Sequence, residues 1–438
     1  MPQSIDTLVH GRWVIPIEPH GTVHAHHAIA IDAGQIVAVL PSAAAKTRYA
    51  AREVVTLDRH AILPGFVNAH THAAMSLFRG LADDLPLMDW LQHHIWPAEA
   101  KWAGPEFVRD GATLAIAEML TSGTTCFSDM YFFPEETARV CRQIGMRAVV
   151  GLILIDFPTA YAQNADEYLR KGLELHDALR DDELVRTAFA PHAPYTVSDA
   201  PLAKLRTLSA ELGLPIHMHV HETAHEVEAA VSATGKRPLA RLAQLDLLDP
   251  ALVAVHMTQL TAEEIAAVAA ASASVVHCPE SNLKLASGLC PVAALMKAGV
   301  NVALGTDGAA SNNDLDMLGE LRTAALLAKT VANDATALPA HMALHMATLG
   351  GARAFGLDDR IGSLVPGKAA DLIAIDLSAI ATQPVYDPAS QVVYAASRDQ
   401  VTHAWVGGRA LLRERQFTTI DINSVIDKAQ SWRQRIRA

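Results

Sequence analysis

The sequence has little cysteine and no long apolar run. Four cysteines are spread over 438 residues without a CxxC pair, which argues against a disulfide framework and favours the reducing cytoplasm. Residues 1–19 lack the basic and apolar regions of a signal peptide. No apolar segment is long enough to cross a bilayer. We therefore expect a cytoplasmic protein without a membrane partner.

Basic charge is also scarce, since 35 lysine and arginine residues stand against 47 aspartate and glutamate residues. The formal net charge of −12 at pH 7 disfavours nucleic acid as a partner. The phosphate-binding motifs GxGxxG and GxxxxGK[ST] are absent, which makes an open nucleotide-binding sheet less attractive. Hydrophobic residues make up 50% of the chain, and this is ample for a large core.

The middle of the chain alternates apolar, β-branched runs with helical patterns. Eight runs are candidate strands: 61–70, 123–130, 147–155, 185–194, 214–222, 252–258, 273–281 and 300–308. Eight β-α units are the number of a TIM barrel, so we predict an α/β fold with a (β/α)8 TIM-type barrel over residues 63–365. Strand-like segments near both termini predict a small β-sandwich domain made of residues 1–62 and 366–438.

Polar residues stand where the predicted strands end. They are His70, His72, Asp129, His192, His219, Glu222, His256, His277 and Asp307. The active site of a barrel lies at the carboxyl ends of its strands, so these side chains are expected to face one pocket. Histidines placed by chance would scatter over helices and loops instead.

The histidines of two strands have the spacing of metal ligands. His70 and His72 are separated by one residue, and residues i and i+2 of a strand point to the same face. Two imidazoles can therefore reach one zinc ion. His217, His219 and His221 share a face of the fifth predicted strand, and their spacing alone does not choose the ligand.

Two of these positions have other interpretations. His221, Glu222 and His225 spell HExxH, the helical motif of zinc proteases. Pro215 and the alternating sequence IHMHVH favour a strand through His221, which disfavours the protease. Asp307 precedes a glycine and could cap a turn. Its place after the eighth predicted strand favours a metal ligand or a base.

Longer motifs carry a resemblance that covers essentially the whole chain. They are LPGFVNAHTHAAMSLFRGLADDLPLMDWL, IWPAEAKW, SGTTCFSDMY, PHAPYTVS, HMHVHET, HCPESNLKLASG, LGTDGAASNNDLDM and GSLVPGKAADLIAID. Together they resemble the amidohydrolase superfamily and, within it, the 5-methylthioadenosine/S-adenosylhomocysteine deaminases. The resemblance implies a metal-dependent aminohydrolase whose substrate is a small-molecule nucleoside. It also implies a homo-oligomer, a dimer or a tetramer.

The resemblance implies one divalent metal, expected to be zinc. The fourth predicted strand lacks the lysine that bridges two metals in binuclear relatives. The implied ligands are His70, His72, His219 and Asp307. Glu222 resembles the proton donor to the substrate ring, and His256 or Asp307 is the implied base for water. Glu99 resembles the carboxylate that holds the ribose hydroxyls, and His192 resembles a substrate contact.

The implied reaction converts the 6-amino group of an adenosine-type nucleoside to an inosine-type product and ammonia. Members of this group that accept S-adenosylhomocysteine tend to carry an arginine after GMRA. This chain continues through Gly151 without one, which favours the less charged 5′-methylthioadenosine or adenosine. The alternatives are a related hydrolase of guanine, a pterin or a triazine, and a non-catalytic scaffold of the same fold.

Overall fold

The structure is a computed structural model that describes residues 1–437, and its strands lie in two sheets. The strands are β1 (Gln3–Val14), β2 (His24–Asp32), β3 (Gln35–Pro41), β4 (Tyr49–Pro64), β5 (Phe66–Thr71), β6 (Thr124–Asp129), β7 (Arg147–Leu154), β8 (Val185–Pro191), β9 (Ile216–Val220), β10 (Leu252–His256), β11 (Ser274–His277), β12 (Asn301–Leu304), β13 (Leu372–Asp376), β14 (Val401–Val406), β15 (Arg409–Arg413) and β16 (Gln416–Phe417).

Strands β5 to β12 pair in chain order as one parallel sheet of eight strands. All residues of β5, β6 and β7 are buried, as expected for parallel strands covered on both faces. The first and last strands also meet, because the Asp307 amide donates to the His70 carbonyl over 3.0 Å. Gly305 permits this approach, since a Cβ atom there would lie 2.8 Å from the His70 amide nitrogen. The sheet is thus a near-closed barrel.

Helices connect the barrel strands, and the helix after β5 shows why they form. Val108, Ala112, Ala115 and Met119 repeat at helical spacing, and all four are fully buried. Within residues 1–437, no helix has both the length and the apolar character needed to cross a membrane. The helices are α1 (Ser42–Arg48), α2 (Leu87–Trp90), α3 (Trp96–Trp102), α4 (Pro105–Thr121), α5 (Pro134–Ile144), α6 (Ala165–Ala178), α7 (Asp199–Leu212), α8 (Ala224–Thr234), α9 (Pro238–Gln244), α10 (Ala262–Ala270), α11 (Pro279–Lys284), α12 (Val292–Lys297), α13 (Met317–Ala332), α14 (Ala340–His345), α15 (Gly351–Ala354), α16 (Pro388–Tyr394) and α17 (Ile422–Arg437).

The second sheet combines both ends of the chain. Its strand order is β16-β15-β14-β13-β4-β1-β2-β3, and only β1 and β4 pair in parallel. The sheet folds back on itself, because the turns at Gly34 and Gly407 touch and residues of both arms, such as Ile31 and Trp405, share one apolar cluster. A barrel with a small β domain made from both chain ends confirms the predicted fold class.

A buried ion pair joins the barrel to this sheet. Arg147, in β7, donates from Nε and Nη2 to the two carboxylate oxygens of Asp371 over 2.6 and 3.1 Å. Asp371 also accepts the Gly407 amide over 2.7 Å. Its charge raises the pKa of Arg147 against the lowering effect of burial. Such a paired and fully bonded charge fixes the relative placement of the two sheets.

The C-terminal segment also contains a helix that the sequence patterns did not predict. In α17, Trp432 is buried against Phe107 of α4, and its Nε1 atom donates to Asp110 over 3.1 Å. Lys428 donates to the other oxygen of Asp110 over 2.8 Å. The last helix therefore packs on the barrel, and the division of the chain at 62/63 and 365/366 stays a prediction.

Candidate active site

Four predicted residues converge at the carboxyl ends of the barrel strands. One ligand atom from each of His70, His72, His219 and Asp307 lies within 4.8 Å of the others. His70 Nε2 is 3.1 Å from His219 Nε2 and 3.4 Å from Asp307 Oδ1. His72 Nε2 is 3.3 Å from the same carboxylate oxygen. Three imidazole nitrogens and one carboxylate oxygen around a common point are a donor set that suits zinc.

The rings of His72 and His219 are oriented by backbone carbonyls. His72 Nδ1 donates to the Met130 carbonyl over 2.5 Å, and His219 Nδ1 donates to the His192 carbonyl over 2.7 Å. Because Nδ1 carries the proton in each ring, the Nε2 lone pair is free and points to the common centre. Burial lowers the pKa of His219 well below its usual value, so that ring is neutral, as a metal ligand must be.

His217 supports the third ring. Its Nε2 atom is 3.0 Å from His70 Nδ1, and its Nδ1 atom is 3.2 Å from the Ser128 hydroxyl. A chain of hydrogen bonds from His70 through His217 to Ser128 leaves His70 Nε2 free to face the centre. The strand pattern could not separate His217 from His219, and the structure gives them different positions.

Asp307 lies in the positive-φ region, with φ of 63°, and hydrogen bonds hold its carboxylate. The oxygen Oδ2 accepts from Ser281 over 2.7 Å and from Ser311 over 3.1 Å, while Oδ1 accepts the Gly308 amide over 2.7 Å. Burial raises the pKa of this carboxyl, but its close contacts with His70 and His72 outweigh burial and hold it well below its usual value. Asp307 is therefore a charged acceptor.

Glu222 and His256 form a second polar pair beside this group. His256 Nε2 is 3.8 Å from Glu222 Oε2, and His256 Nδ1 is hydrogen-bonded to the Asn282 amide over 2.9 Å. Burial, followed by the negative charges of Asp307 and Glu226, raises the pKa of Glu222 well above its usual value. Burial lowers the pKa of His256 to about 3. The site thus favours the protonated form of the Glu222 carboxyl and the neutral form of the His256 imidazole.

These groups open into one cavity of about 480 Å³. Seven of the site residues predicted from the sequence line it: His72, Glu99, His192, His219, Glu222, His256 and Asp307. Apolar side chains such as Trp90, Trp96 and Phe157 form much of the remaining wall. Burial raises the pKa of Glu99 to about 7, against the effect of the nearby Tyr131 hydroxyl. The cavity thus brings together every predicted site residue except His70, which lies fully buried.

The expectation that all polar strand-end residues face one pocket is wrong for Asp129 and His277, neither of which lines the cavity. Asp129 accepts the Ala73 amide over 2.8 Å and the Thr137 hydroxyl over 3.0 Å, so it anchors the segment that follows β5. His277 is buried and does not line the cavity.

The structure contradicts the HExxH interpretation. Helix α8 begins at Ala224, so His221 lies before the helix, with φ of 54°. Its Nε2 atom accepts the Leu239 amide over 3.1 Å. His225 is exposed. The two histidines therefore do not form the helical metal pair of a zinc protease. The strand predicted through His221 ends one residue earlier, at Val220, because His221 takes a left-handed backbone conformation.

Several residues that shape the site were missed in the sequence. Asn282 contacts His256, and Ser281 and Ser311 contact Asp307. All three follow the ends of β11 and β12, so the rule that found the histidines would also have found these residues. Their short polar side chains gave no separate signal.

Comparison with known proteins agrees with this geometry. The model of the amidohydrolase family matches residues 61–411. A Teredinibacter turnerae protein named 5-methylthioadenosine/S-adenosylhomocysteine deaminase is 50% identical over 435 residues, which cover 99% of this chain and 98% of that protein. The crystal structure of an adenosine deaminase from Xanthomonas campestris with bound zinc is 57% identical, has a TM-score of 0.99 and is matched over 100% of both chains.

A more distant structure shares the fold. The atrazine chlorohydrolase of Arthrobacter aurescens in complex with zinc has a TM-score of 0.90 at 23% identity, and the match covers 97% of this chain and 99% of that one. The family model spans most of the sequence, including both ends of the barrel. The chain therefore belongs to the amidohydrolase family.

Proposed function

We propose that this protein is a hydrolytic deaminase that replaces the 6-amino group of an adenosine-type nucleoside with oxygen and releases ammonia. One observation carries the proposal: a single cavity holds the histidine–aspartate group, the buried carboxyl of Glu222 with its raised pKa and, on another wall, Glu99. The names of the Teredinibacter and Xanthomonas relatives support a nucleoside substrate. The cytoplasmic location and the homodimer or homotetramer stay predictions from the sequence.

We infer that His70, His72, His219 and Asp307 hold one zinc ion. The donor set fits, because the Nε2 atoms of the histidines face one point and Asp307 adds one negative charge. When bound, zinc lowers the pKa of water and so supplies a nucleophile at neutral pH.

The protein's own residues would move the protons of the reaction. Asp307 or His256 accepts a proton from water, whose oxygen forms the new bond to C6 of the purine. Glu222 donates a proton to N1, so that negative charge does not accumulate on the ring. The C6–N bond then breaks: the base returns its proton to the amino group, which leaves as ammonia, and the C6 hydroxyl gives its proton back to Glu222 as the C6 oxygen becomes a carbonyl. A carboxyl with a raised pKa suits a donor at neutral pH.

Glu99 is the proposed acceptor for the ribose hydroxyls. Glu99→Gln should lower kcat/KM for nucleosides roughly 10- to 100-fold, because a hydrogen bond to a charged group is worth about 1.5–3 kcal/mol. The pKa of Glu99 is raised to about 7, so its full charge is present only above that pH. The acid limb of kcat/KM near pH 7 should therefore disappear in the variant.

The control for this variant is Glu106→Gln, which removes an exposed carboxylate from the first turn of α4. It should leave both kcat/KM and the acid limb unchanged. Equal losses on a nucleoside and on a free base would show that Glu99 does not bind the ribose.

The apolar wall of the cavity favours an uncharged 5′ substituent. Ile153 and Ile155, which follow Gly151 in the chain, line it together with Trp96 and Phe157. Within residues 1–437, no lysine or arginine belongs to this lining, so a homocysteine carboxylate has no cationic partner there. A methylthio group would instead bury apolar surface against these side chains.

An ammonia-release assay with ultraviolet detection tests the proposed function. The substrates are 5′-methylthioadenosine, S-adenosylhomocysteine, adenosine, guanine and a triazine. We expect turnover of 5′-methylthioadenosine with a higher kcat/KM than S-adenosylhomocysteine. Turnover of guanine or the triazine alone would replace the nucleoside proposal with another amidohydrolase activity. The absence of turnover by the zinc-loaded protein on all five substrates would favour a non-catalytic scaffold of the same fold.

A further inference from the structure

Glu226 is an acidic residue that the proposed reaction does not use. It lies in the first turn of α8, and its side chain reaches back to the turn between β9 and the helix. Its Oε2 atom accepts the Glu222 amide over 2.7 Å, and its Oε1 atom accepts the His221 amide over 3.1 Å. Among the described residues, no lysine or arginine forms an ion pair with it. Its hydrogen bonds therefore go to the backbone that carries Glu222.

The other side of the same turn is held by β10 and the residues that follow it. The Thr258 hydroxyl donates to the Glu222 carbonyl over 2.7 Å, and the Thr258 amide donates to the His221 carbonyl over 3.0 Å. His221 has a φ of 54°, a conformation that costs energy for a non-glycine residue and needs such support. Glu226 binds the amides of this turn and Thr258 binds its carbonyls.

We propose that Glu226 is a positioning residue whose carboxylate fixes the two peptide amides of this turn and so directs the Glu222 carboxyl into the cavity. The inference rests on the proposed function, since it assigns to Glu222 the role of proton donor. Displacing a reacting group by about 1 Å can lower a rate roughly 10²-fold. Glu226 does not line the main cavity, so it acts through Glu222 and not on the substrate.

Glu226 also influences Glu222 through its charge. The groups that act on the Glu222 carboxyl are His256 from β10, Asp307 from beyond β12, Tyr195 from beyond β8, the Ser287 hydroxyl and Glu226 itself. Burial raises the pKa of Glu226 itself to about 7, so its negative charge is present above that pH and there raises the pKa of Glu222, as that of Asp307 does. Removing the charge at 226 should therefore lower the pKa of Glu222. The alkaline limb of kcat/KM, where the proton donor is lost, should move to lower pH.

The test compares Glu226→Gln with Glu228→Gln in the zinc-loaded protein. Both variants remove one carboxylate from α8, but Glu228 is exposed. We expect Glu226→Gln to lower kcat roughly 10- to 100-fold, to leave KM and zinc content unchanged and to shift the alkaline limb to lower pH. Glu228→Gln should change none of these quantities.

A double variant separates positioning from general stability. If Glu226 acts through Glu222, adding Glu226→Gln to Glu222→Gln should lower kcat by less than twofold, because the two residues act as one unit. An unchanged kcat in Glu226→Gln, or the full loss repeated in the Glu222→Gln background, would overturn the proposal. If Glu226→Gln does not fold, Glu226→Asp takes its place in the same comparison. Turnover by the wild-type protein is measured separately. Its absence would show that the proposed function is wrong, whereas wild-type turnover with an unchanged kcat in Glu226→Gln would show that only the proposal for Glu226 is wrong.

Discussion

Replacing Asp307 with alanine is expected to remove both the bound metal and the deaminase activity. Asp307 Oδ1 lies within 3.4 Å of His70 Nε2 and of His72 Nε2, and it supplies the only charged oxygen among the four proposed ligands. Loss of an outer partner of a metal ligand already costs about 10- to 100-fold in metal affinity or activity. Loss of a ligand itself should cost more, so both quantities should fall to background.

Metal analysis of the purified variant and the ammonia-release assay measure these two losses. Asp314→Ala is the matched control, because Asp314 lies in the same segment after β12 and is partly exposed beside Arg398. It should retain the zinc and the rate of the wild-type protein. Asp307→Asn tests the fold, since the amide keeps the shape that Ser281 and Ser311 contact. Full zinc occupancy in Asp307→Ala would remove this residue from the ligand set.

The convergence of these four residues could be predicted because it depends on topology. In a parallel barrel, all carboxyl strand ends meet at one rim, so His70, His219 and Asp307 approach each other although they are far apart in the chain. Helix α4 was predictable from local periodicity, because Val108 and Ala112 repeat at helical spacing on a buried face. Neither inference needs the conformation of any single turn.

Other parts of the site depend on turn conformations that the sequence does not reveal. His221, His256, Met257 and Asp307 all have positive φ, although none is a glycine and Met257 does not even belong to the aspartate, asparagine and histidine types that are enriched in this region. These angles decide which way each side chain points after its strand ends. The carboxylate of Glu226 holds two of these turn amides, and no local pattern identifies that contact. Such strained residues cluster at functional sites, where the surrounding structure holds them.

The packing of α17 was not predictable for a different reason. Its contact with the barrel joins Trp432 to Asp110 and Phe107, more than three hundred positions apart in the chain. The segment is strongly charged, and its buried face consists of few residues. Local periodicity therefore gave a weak signal, and the long-range partner that stabilises the helix was invisible in the sequence.

Glu222→Gln should keep the metal and lower kcat by a factor of roughly 10² to 10⁴, the range for loss of a proton-transfer group. Glutamine has nearly the same shape, and Glu222 does not belong to the group of four proposed ligands, so zinc content should stay at the wild-type value. An amide cannot give a proton to the purine N1, and this explains a loss in rate without a loss in metal.

The pH profile provides a second and independent measurement of the same role. Burial raises the pKa of Glu222 well above its usual value, and the charges of Asp307 and Glu226 raise it further. The acid form is present below this raised pKa and is lost above it, so kcat/KM of the wild-type protein should fall on the alkaline side. The residual rate of Glu222→Gln should lack that fall.

The control is Glu263→Gln, at an exposed position in the first turn of α10, which should keep both the rate and the profile. A variant at 222 that retained its rate and its alkaline limb would show that N1 receives its proton from another group, and His256, at 3.8 Å from Glu222, would be the next residue to replace.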